Sequence, residues 1–251
     1  MNDLKEIVNR FDPITLEEMD TVKLLNRVDT KFVFNSGKLS LILEELIPQY
    51  RVLEVCETRM NRYETLYYDT PDLQLYHQHH NGKMNRYKVR SRKYVDSDSG
   101  FFEIKFKNNC GRTIKNRVKN DVSDDKLSSR SMKLLAKKTP SLAGKLHPTL
   151  RVLFTRITLV NRNLTERLTL DVGLLYRNDH SEQSFPNIAI AELKQDRSGK
   201  SEFNNLIKKY HLHPIAMSKY CFGICSLGYN VKKNNFKQKF HQINKINYEI
   251  S

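Results

Sequence analysis

The sequence contains no tryptophan and only four cysteines, Cys56, Cys110, Cys221 and Cys225, among 251 residues. Four scattered cysteines are too few for the disulfide scaffold of a small secreted domain, which predicts a reducing compartment. No apolar run approaches the roughly 18 residues that a membrane-spanning helix needs. The first residues, MNDLKEIVNRFDP, carry acids and no apolar signal segment. These absences predict a cytoplasmic protein without a transmembrane segment.

Acidic residues are also scarce relative to basic ones. The chain has 28 Asp and Glu against 43 Lys and Arg, which gives a formal net charge of +15. Such a charge favours a polyanionic partner: nucleic acid, an anionic membrane surface or a phosphate-rich ligand. The hydrophobic share of 39% is sufficient for a core, so we expect a folded chain.

Short runs rich in β-branched and aromatic residues recur along the chain. They predict strands at 27–34, 51–56, 62–69, 86–94, 100–107, 111–118, 151–160, 164–172 and 187–195. Apolar residues at helical spacing predict helices at 15–25, 37–47, 124–138, 201–210 and 216–228. This pattern is typical of an α+β protein with an antiparallel sheet or barrel. We expect one domain over 1–230 and a polar, basic, loosely ordered tail over 231–251.

Charged and apolar residues alternate in several of these strands. In NRYKVRSRKY (85–94), the cations Arg86, Lys88, Arg90 and Arg92 occupy every second position, and a strand sends such positions to one face. The same alternation recurs in five other predicted strands. Their charged faces hold Asp29, Lys31, Glu103, Lys105, Lys107, Lys115, Arg117, Arg167, Asp171, Glu192 and Lys194.

A single charged strand face is ordinarily just solvated. Here the faces are dominated by Arg and Lys, which repel one another when strands place them opposite each other. A sheet with this repulsion needs an anion to neutralise it. If the strands close into a barrel with this face inward and helices outside, the interior is a basic tunnel suited to a linear polyanion.

Several spaced motifs resemble one known family. They are RVDTKF (27–32), TLYYDTPDLQLY (65–76), NGKMNRYKVRSRKY (81–94), FEIKFK (102–107), IKNRV (114–118), ERLTLD (166–171), AELK (191–194) and SKYCFG (218–223). In this order, over about residues 20–228, they resemble the VTC domain, the polyphosphate polymerase-type branch of the triphosphate tunnel metalloenzymes. The superfamily's EXEXK signature is not intact, because Arg27 and Asp29 stand at its glutamate positions and only Lys31 matches.

The resemblance implies an eight-stranded antiparallel β-tunnel that binds nucleoside triphosphate and inorganic polyphosphate with Mn²⁺ or Mg²⁺. By the resemblance, the phosphate-contacting cations are Lys31, Arg90, Arg92, Lys105, Lys115, Arg156, Arg167 and Lys219, and the metal-binding carboxylate is Glu192. Arg86, Lys88, Arg117 and Asp171 share strand faces with this set. Arg156 groups by parity with Val152 and Phe154, so a bulge or a change of environment is needed to aim it inward.

The implied reaction is transfer of the γ-phosphate of ATP to a growing polyphosphate chain. Hydrolysis is an alternative, in which Asp29 or Glu103 orients a water molecule. A polyphosphate-binding module without catalysis is a third reading. The polymerase reading also allows a separate membrane-protein partner that receives the chain.

Three other readings have weaker support. Cys221 and Cys225 with His211 and His213 could form a zinc site, but a Cys pair at i, i+4 is more typical of a buried helix face. Residues 198–201 (SGKS) resemble part of a P-loop, but its first glycine is missing; a turn opening a helix is the simpler reading. Nucleic-acid binding is disfavoured because the aromatic residues alternate away from the cations.

Overall fold

The structure is a computed structural model that describes residues 2–20, 27–119, 127–196 and 201–249. The strands in these residues are β1 (Asp12–Ile14), β2 (Arg27–Asn35), β3 (Tyr50–Leu53), β4 (Met60–Asp69), β5 (Arg86–Tyr94), β6 (Ser99–Lys107), β7 (Thr113–Lys119), β8 (His147–Asn161), β9 (Glu166–Arg177), β10 (Glu182–Phe185) and β11 (Ile188–Asp196). The α-helices are α1 (Asn2–Asn9), α2 (Leu16–Asp20), α3 (Leu39–Leu46), α4 (Gln74–His80), α5 (Ser129–Lys138), α6 (Glu202–Lys209), α7 (Lys219–Ser226) and α8 (Asn234–Tyr248).

Eight of these strands form one antiparallel path in the order β2-β11-β9-β8-β4-β5-β6-β7. Strands β3 and β10 pair beside β8 and β9, and β1 adds a short parallel pair with β3. The predicted α+β class and the eight-stranded antiparallel arrangement are therefore confirmed. Each of the nine predicted strands corresponds to a strand of this sheet.

The sheet is curled, because residues from distant positions in the strand order line one cavity. Lys31 of β2 and Lys107 of β6 both face a cavity of about 490 Å³. The expected closure into a barrel is not complete: within the described residues, β2 and β7 do not pair. A physical reason lies at the edge of β2, where the Ile215 amide donates to the Lys31 carbonyl at 2.8 Å and Pro214 bridges Phe32.

Helices cover the convex side of the sheet, as the apolar faces of the strands predict. Helices α1, α3 and α6 pack against β2, β8, β9 and β11 through a core that includes Phe34, Leu43, Leu170 and Phe203. Helices α4 and α5 bury Leu75 and Leu135 against β4, β5 and β6. The charged face is thereby left as the concave one.

One end of the concave side is filled by α7 and α8. Val152 and Phe154 of β8 lie in the same buried cluster as Tyr220 and Phe222 of α7, so their parity is inward like that of Arg156. Of the two explanations for an inward Arg156, a bulge in the strand or a change of environment along it, the second applies. The interior is apolar beside Val152 and Phe154 and charged beside Arg156. On the paired strand, Gly173 has φ +63° at the register shift, which lets Leu174 and Asp171 both face inward.

The C-terminal tail differs from its prediction. Instead of being loosely ordered, residues 234–248 form α8, which buries Ile243 against the sheet end. The side-chain amide of Asn35 donates to the carbonyls of Ile246 and Glu249, each at 3.0 Å. Polar composition concealed this helix, because a narrow apolar stripe of Phe236, Phe240 and Ile243 is enough to seat it.

Other differences from the predicted helices are smaller. The predicted helix 15–25 corresponds to α2, and its last residues, 21–25, lie outside the described part of the chain. The same holds for 124–126 at the start of the helix that becomes α5. Helices α1 and α4 were not predicted. Among the described residues, no helix combines the length and the apolar composition required to cross a membrane.

Replacement of Gly223 by Ala tests the seating of α7. A Cβ at this position would lie 2.5 Å from Tyr176 Cδ1 and 2.6 Å from Leu150 Cδ2, so the helix or the sheet must shift. We expect Gly223→Ala to lower the free energy of unfolding by about 1–3 kcal/mol in urea titrations. Ser226→Ala on the same helix is the control and should change it by less than about 1 kcal/mol. Equal stability of Gly223→Ala and the native protein would contradict this packing.

Candidate functional site

The concave face is organised around three carboxylates that each hold at least two cations. The first is Asp171 of β9, with 3% of its surface exposed. Arg156 of β8 donates to both of its oxygens, at 2.6 and 2.7 Å, and Lys219 of α7 donates to Oδ2 at 2.5 Å. Arg156 and Lys219, two of the cations implied by the resemblance, therefore meet at one carboxylate, and Lys219 is largely enclosed, with 15% of its side chain exposed.

Electrostatics keep Asp171 ionised. Burial alone would raise the pKa of this carboxyl, but Arg156 and Lys219 outweigh burial and hold the pKa well below its usual range. Two aromatic rings support the same cations: the Arg156 guanidinium lies 5.0 Å from the centroid of Tyr63, and Lys219 Nζ lies 4.7 Å from that of Phe154. The start of α7 is thus fixed on the sheet by charge and by ring contacts.

A second centre lies across the tunnel at Glu103 of β6, which is 1% exposed. Arg90 donates to it through Nε at 2.8 Å, and Lys115 of β7 forms an ion pair with its other oxygen. Burial alone would raise the pKa of this carboxyl, but Arg90 and Lys115 have the larger effect and lower the pKa to about 2. Glu103 is therefore a fixed anion that positions cations, and it is a poor proton acceptor near neutral pH.

Next to this centre, three lysines occupy directly opposed positions on adjacent strands. Lys88 of β5 pairs in register with Lys105 of β6, which pairs in register with Lys115 of β7. Like charges in such positions repel. The neighbouring charge of Arg90, together with burial, lowers the pKa of Lys105 to about 6. Without a ligand, this lysine is largely neutral at pH 7.

Arg92 is the most enclosed cation of the set, with 9% of its surface exposed. Its Nε donates to the Thr65 hydroxyl at 3.3 Å, and its guanidinium lies 5.4 Å from the ring centroid of Tyr63. Burial and the charges of Arg90 and Arg156 lower its pKa to about 10. Among the described residues, Arg92 forms no ion pair with a carboxylate, so its charge is available to an anion in the tunnel.

The third centre is Glu192 of β11. Lys194, two residues further on the same strand, forms an ion pair with one of its oxygens, and Lys31 Nζ lies 3.7 Å from the other. Lys194 also donates to Asp29 of β2 at 3.1 Å. Burial would raise the pKa of Glu192, but Lys31 and Lys194 hold it well below its usual range.

A divalent ion fits at Glu192 only if the bound phosphate shares in its coordination. No group of three or more Asp, Glu, His or Cys side chains that could hold an ion occurs in the described parts of the chain. Mg²⁺ and Mn²⁺ can bind through one or two carboxylates when phosphate oxygens and water supply the remaining ligands. The donor set therefore fits a divalent ion that arrives with a polyphosphate and does not fit a preformed metal site.

The remaining predicted residues lie on β5, β7 and β9. Arg86, the first residue of β5, donates to the Lys83 carbonyl at 2.9 Å. Lys88 donates to the Ser218 hydroxyl at 3.3 Å at the start of α7. Arg117 lies 4.7 Å from the ring centroid of Phe101, and Arg167 lies opposite Lys194 in the sheet register.

Sequence reasoning left Lys194, Tyr63 and Tyr67 out of the site. Lys194 shares strand parity with Glu192, so the alternation in AELK already contained the signal. Tyr67 shares parity with Thr65, and its hydroxyl accepts from Arg90 at 3.4 Å. Burial raises the pKa of Tyr67, but Arg90 and Arg92 reverse the shift and lower it.

The structure also bears on the zinc-site and P-loop readings of the sequence. Cys221 and Cys225 lie on the buried face of α7, 2% and 5% exposed, as the helix reading predicts. Residues 198–200 of the P-loop resemblance lie outside the described part of the chain. Ser201 accepts from the Asn204 amide at 3.0 Å and caps α6, which agrees with a turn that opens a helix.

A curled antiparallel sheet with a cationic concave face and a helix-covered convex face defines a tunnel-type α+β fold. The VTC domain family matches residues 26–228. The chain therefore belongs to the VTC domain family, which confirms the resemblance read from the motifs.

Solved structures with detectable similarity are distant. A protein from Bacillus halodurans described as a candidate adenylate cyclase is 14% identical, with a TM-score of 0.47 over 77% of this chain and 96% of that one. A candidate adenylyl cyclase from Hippeastrum with a dominant triphosphatase activity is 11% identical, with a TM-score of 0.47 over 81% and 98%. A protein from Pyrococcus horikoshii is 12% identical, with a TM-score of 0.39 over 73% and 87%. No curated protein matches the sequence.

Replacement of Asp171 by Asn tests the central ion-pair cluster. The substitution leaves Arg156 and Lys219 buried without their carboxylate, and we expect the free energy of unfolding at pH 7 to fall by about 3 kcal/mol. Because the native pKa of Asp171 is depressed, its contribution is present above the unfolded pKa and is lost as the pH falls. The difference between native protein and variant should therefore shrink below about pH 4.

Urea unfolding at several pH values measures this effect. Asp179→Asn, at an exposed position, is the matched control and should behave like the native protein. A deficit for Asp171→Asn that stays constant down to pH 2 would show that the carboxylate's charge is not the source of the stabilisation.

Proposed function

We propose that the protein is a metal-dependent phosphotransferase that moves the γ-phosphate of ATP onto a growing inorganic polyphosphate chain. The observation that supports this most is the row of opposed lysines beside Arg90 and Arg92. The electrostatic repulsion among these cations is relieved most effectively when a multiply charged phosphate chain lies between them. Membership of the VTC domain family supports the same substrate class.

Phosphoryl transfer asks the protein mainly for positioning and for stabilisation of charge on the phosphate oxygens. Arg90 and Arg156 are held rigid by Glu103 and Asp171, so they offer fixed donors. A divalent ion bound at Glu192 with phosphate oxygens would supply additional charge neutralisation. The terminal oxygen of a polyphosphate acceptor is already largely ionised at neutral pH, so transfer to it requires no general base.

This last point separates transfer from hydrolysis. A hydrolase benefits from a carboxylate that orients and deprotonates water. Glu103 is poorly suited because its pKa is lowered to about 2 and its oxygens face Arg90 and Lys115. Asp29 is more exposed, but Lys194 holds it. These contacts favour transfer over hydrolysis.

The decisive experiment incubates the purified protein with ATP and Mn²⁺ and resolves the products. We expect polyphosphate longer than the donor triphosphate together with ADP. Arg92→Ala should reduce the rate by about 10²-fold, the usual effect of removing one preorganised donor. Arg112→Ala, in the exposed turn between β6 and β7, should leave the rate unchanged. Free phosphate as the sole product would establish hydrolysis, and binding without turnover would leave a polyphosphate-binding module.

Lys105 provides a second, independent test. At pH 8 the terminal phosphate of a triphosphate is already ionised, whereas Lys105, with a pKa of about 6, is neutral in the free protein. A bound polyanion raises this pKa, so we expect net proton uptake when tripolyphosphate binds at pH 8. Calorimetric titration in buffers of different ionisation enthalpy measures it.

Lys105→Arg is the matched variant, because arginine keeps the charge and does not titrate in this range. It should bind tripolyphosphate with little or no proton uptake. Proton release in the native protein, or the same uptake in the variant, would be incompatible with this role for Lys105.

A further inference from the structure

A cavity between α7 and α8 lies at the apolar end of the concave face and adjoins the Glu192 centre, with which it shares Lys31. Its volume is about 490 Å³, which is within the range of small-molecule sites. Phe222 of α7 and Phe236 and Phe240 of α8 form an aromatic wall, and Met217 adds a flexible apolar surface. We call it the α7–α8 cavity.

Charge connects this cavity to the cationic face. Among the described residues, four lysines line it, Lys31, Lys88, Lys107 and Lys239, together with a single carboxylate, that of Asp29. Lys31 and Lys88 belong at the same time to the concave face, where Lys31 faces Glu192 and Lys88 lies opposite Lys105. An anion bound in the tunnel and a group seated in the cavity can therefore belong to one molecule.

A polar atom in the wall argues against a purely hydrocarbon occupant. The Nδ1 atom of His79 is buried and has no hydrogen-bond partner among the described residues. Burial, reinforced by the charges of Lys88 and Arg86, lowers the pKa of His79 to about 3, so the ring is neutral. A ligand of alkyl chains would leave this nitrogen unpaired, whereas a heteroaromatic ring carries donors and acceptors on its edge.

We propose that the α7–α8 cavity is a nucleoside subsite, in which the base lies among the phenylalanine rings while the phosphates extend past Lys31 and Lys88 into the tunnel. This inference rests on the proposed use of ATP and deepens it. Two of the three rings of the aromatic wall come from α8, which lies beyond the region matched by the family, residues 26–228. The subsite would allow the chain to distinguish a nucleoside triphosphate from inorganic triphosphate.

The test compares two ligands by titration calorimetry: the β,γ-imido analogue of ATP, which resists transfer of its terminal phosphate, and inorganic tripolyphosphate. Ala216 lines the cavity at an exposed position, so Ala216→Trp fills the cavity without disturbing the core. We expect it to weaken binding of the ATP analogue about tenfold, at the lower end of the contribution of one stacked base. Binding of tripolyphosphate should change by less than about twofold.

Two further variants test whether the effect of Ala216→Trp is specific to the cavity. Ala136→Trp, at an exposed position on α5 outside the cavity, is the control and should affect neither ligand. Phe236→Leu keeps apolar volume but removes one aromatic face, and it should weaken the ATP analogue severalfold while sparing tripolyphosphate. Unfolding curves establish that each variant is folded.

The outcomes separate this inference from the function on which it rests. Equal weakening of both ligands by Ala216→Trp, or no weakening of either, would overturn the nucleoside subsite while leaving the tunnel as a triphosphate site. Failure of the native protein to bind either ligand would overturn the proposed function and the subsite together. Selective loss of the ATP analogue supports the subsite.

Discussion

Repulsion between lysines on neighbouring strands is the constraint around which the structure is built. Lys88, Lys105 and Lys115 face one another across β5, β6 and β7, and within the described residues only Lys115 of the three forms an ion pair with a carboxylate, that of Glu103. The convex side supplies the compensation, since the same strands bury Val89, Phe102 and Ile104 under α4 and α5. Apolar packing outside thus maintains an unfavourable charge arrangement inside, which is the arrangement that a polyanion requires.

The carboxylates of the concave face set the geometry of this charge. Each one lies between cations from different elements: Asp171 joins β8 to α7, Glu103 joins β5 to β7, and Glu192 joins β11 to β2. Their depressed pKa values mean that they remain ionised at the pH at which the cations are needed. The result is a preorganised set of donors, which spares a ligand the cost of ordering long side chains.

Strand positions and the charged face were readable from the sequence because a period of two is a local signal, and the nine predicted strands all exist. Contacts that depend on tertiary structure were not readable. The inward orientation of Val152 and Phe154 depends on α7, which lies more than 60 residues later in the chain. The role of α8 was concealed because its apolar stripe is narrow and its composition is polar. Lys194 could have been predicted, because it shares strand parity with Glu192. Only Glu192, as the expected metal-binding carboxylate, was assigned to the site.

The two ends of the strand order are protected in different ways. The edge of β2 is covered by the protein's own backbone at Pro214 and Ile215. Within the described residues, β7 pairs only with β6, and its side chains include Lys115, Arg117 and Lys119. Open edges of sheets are templates for pairing between molecules, and lysine-rich edges discourage it. The charge that makes the concave face basic therefore also helps to keep separate molecules from joining their sheets edge to edge.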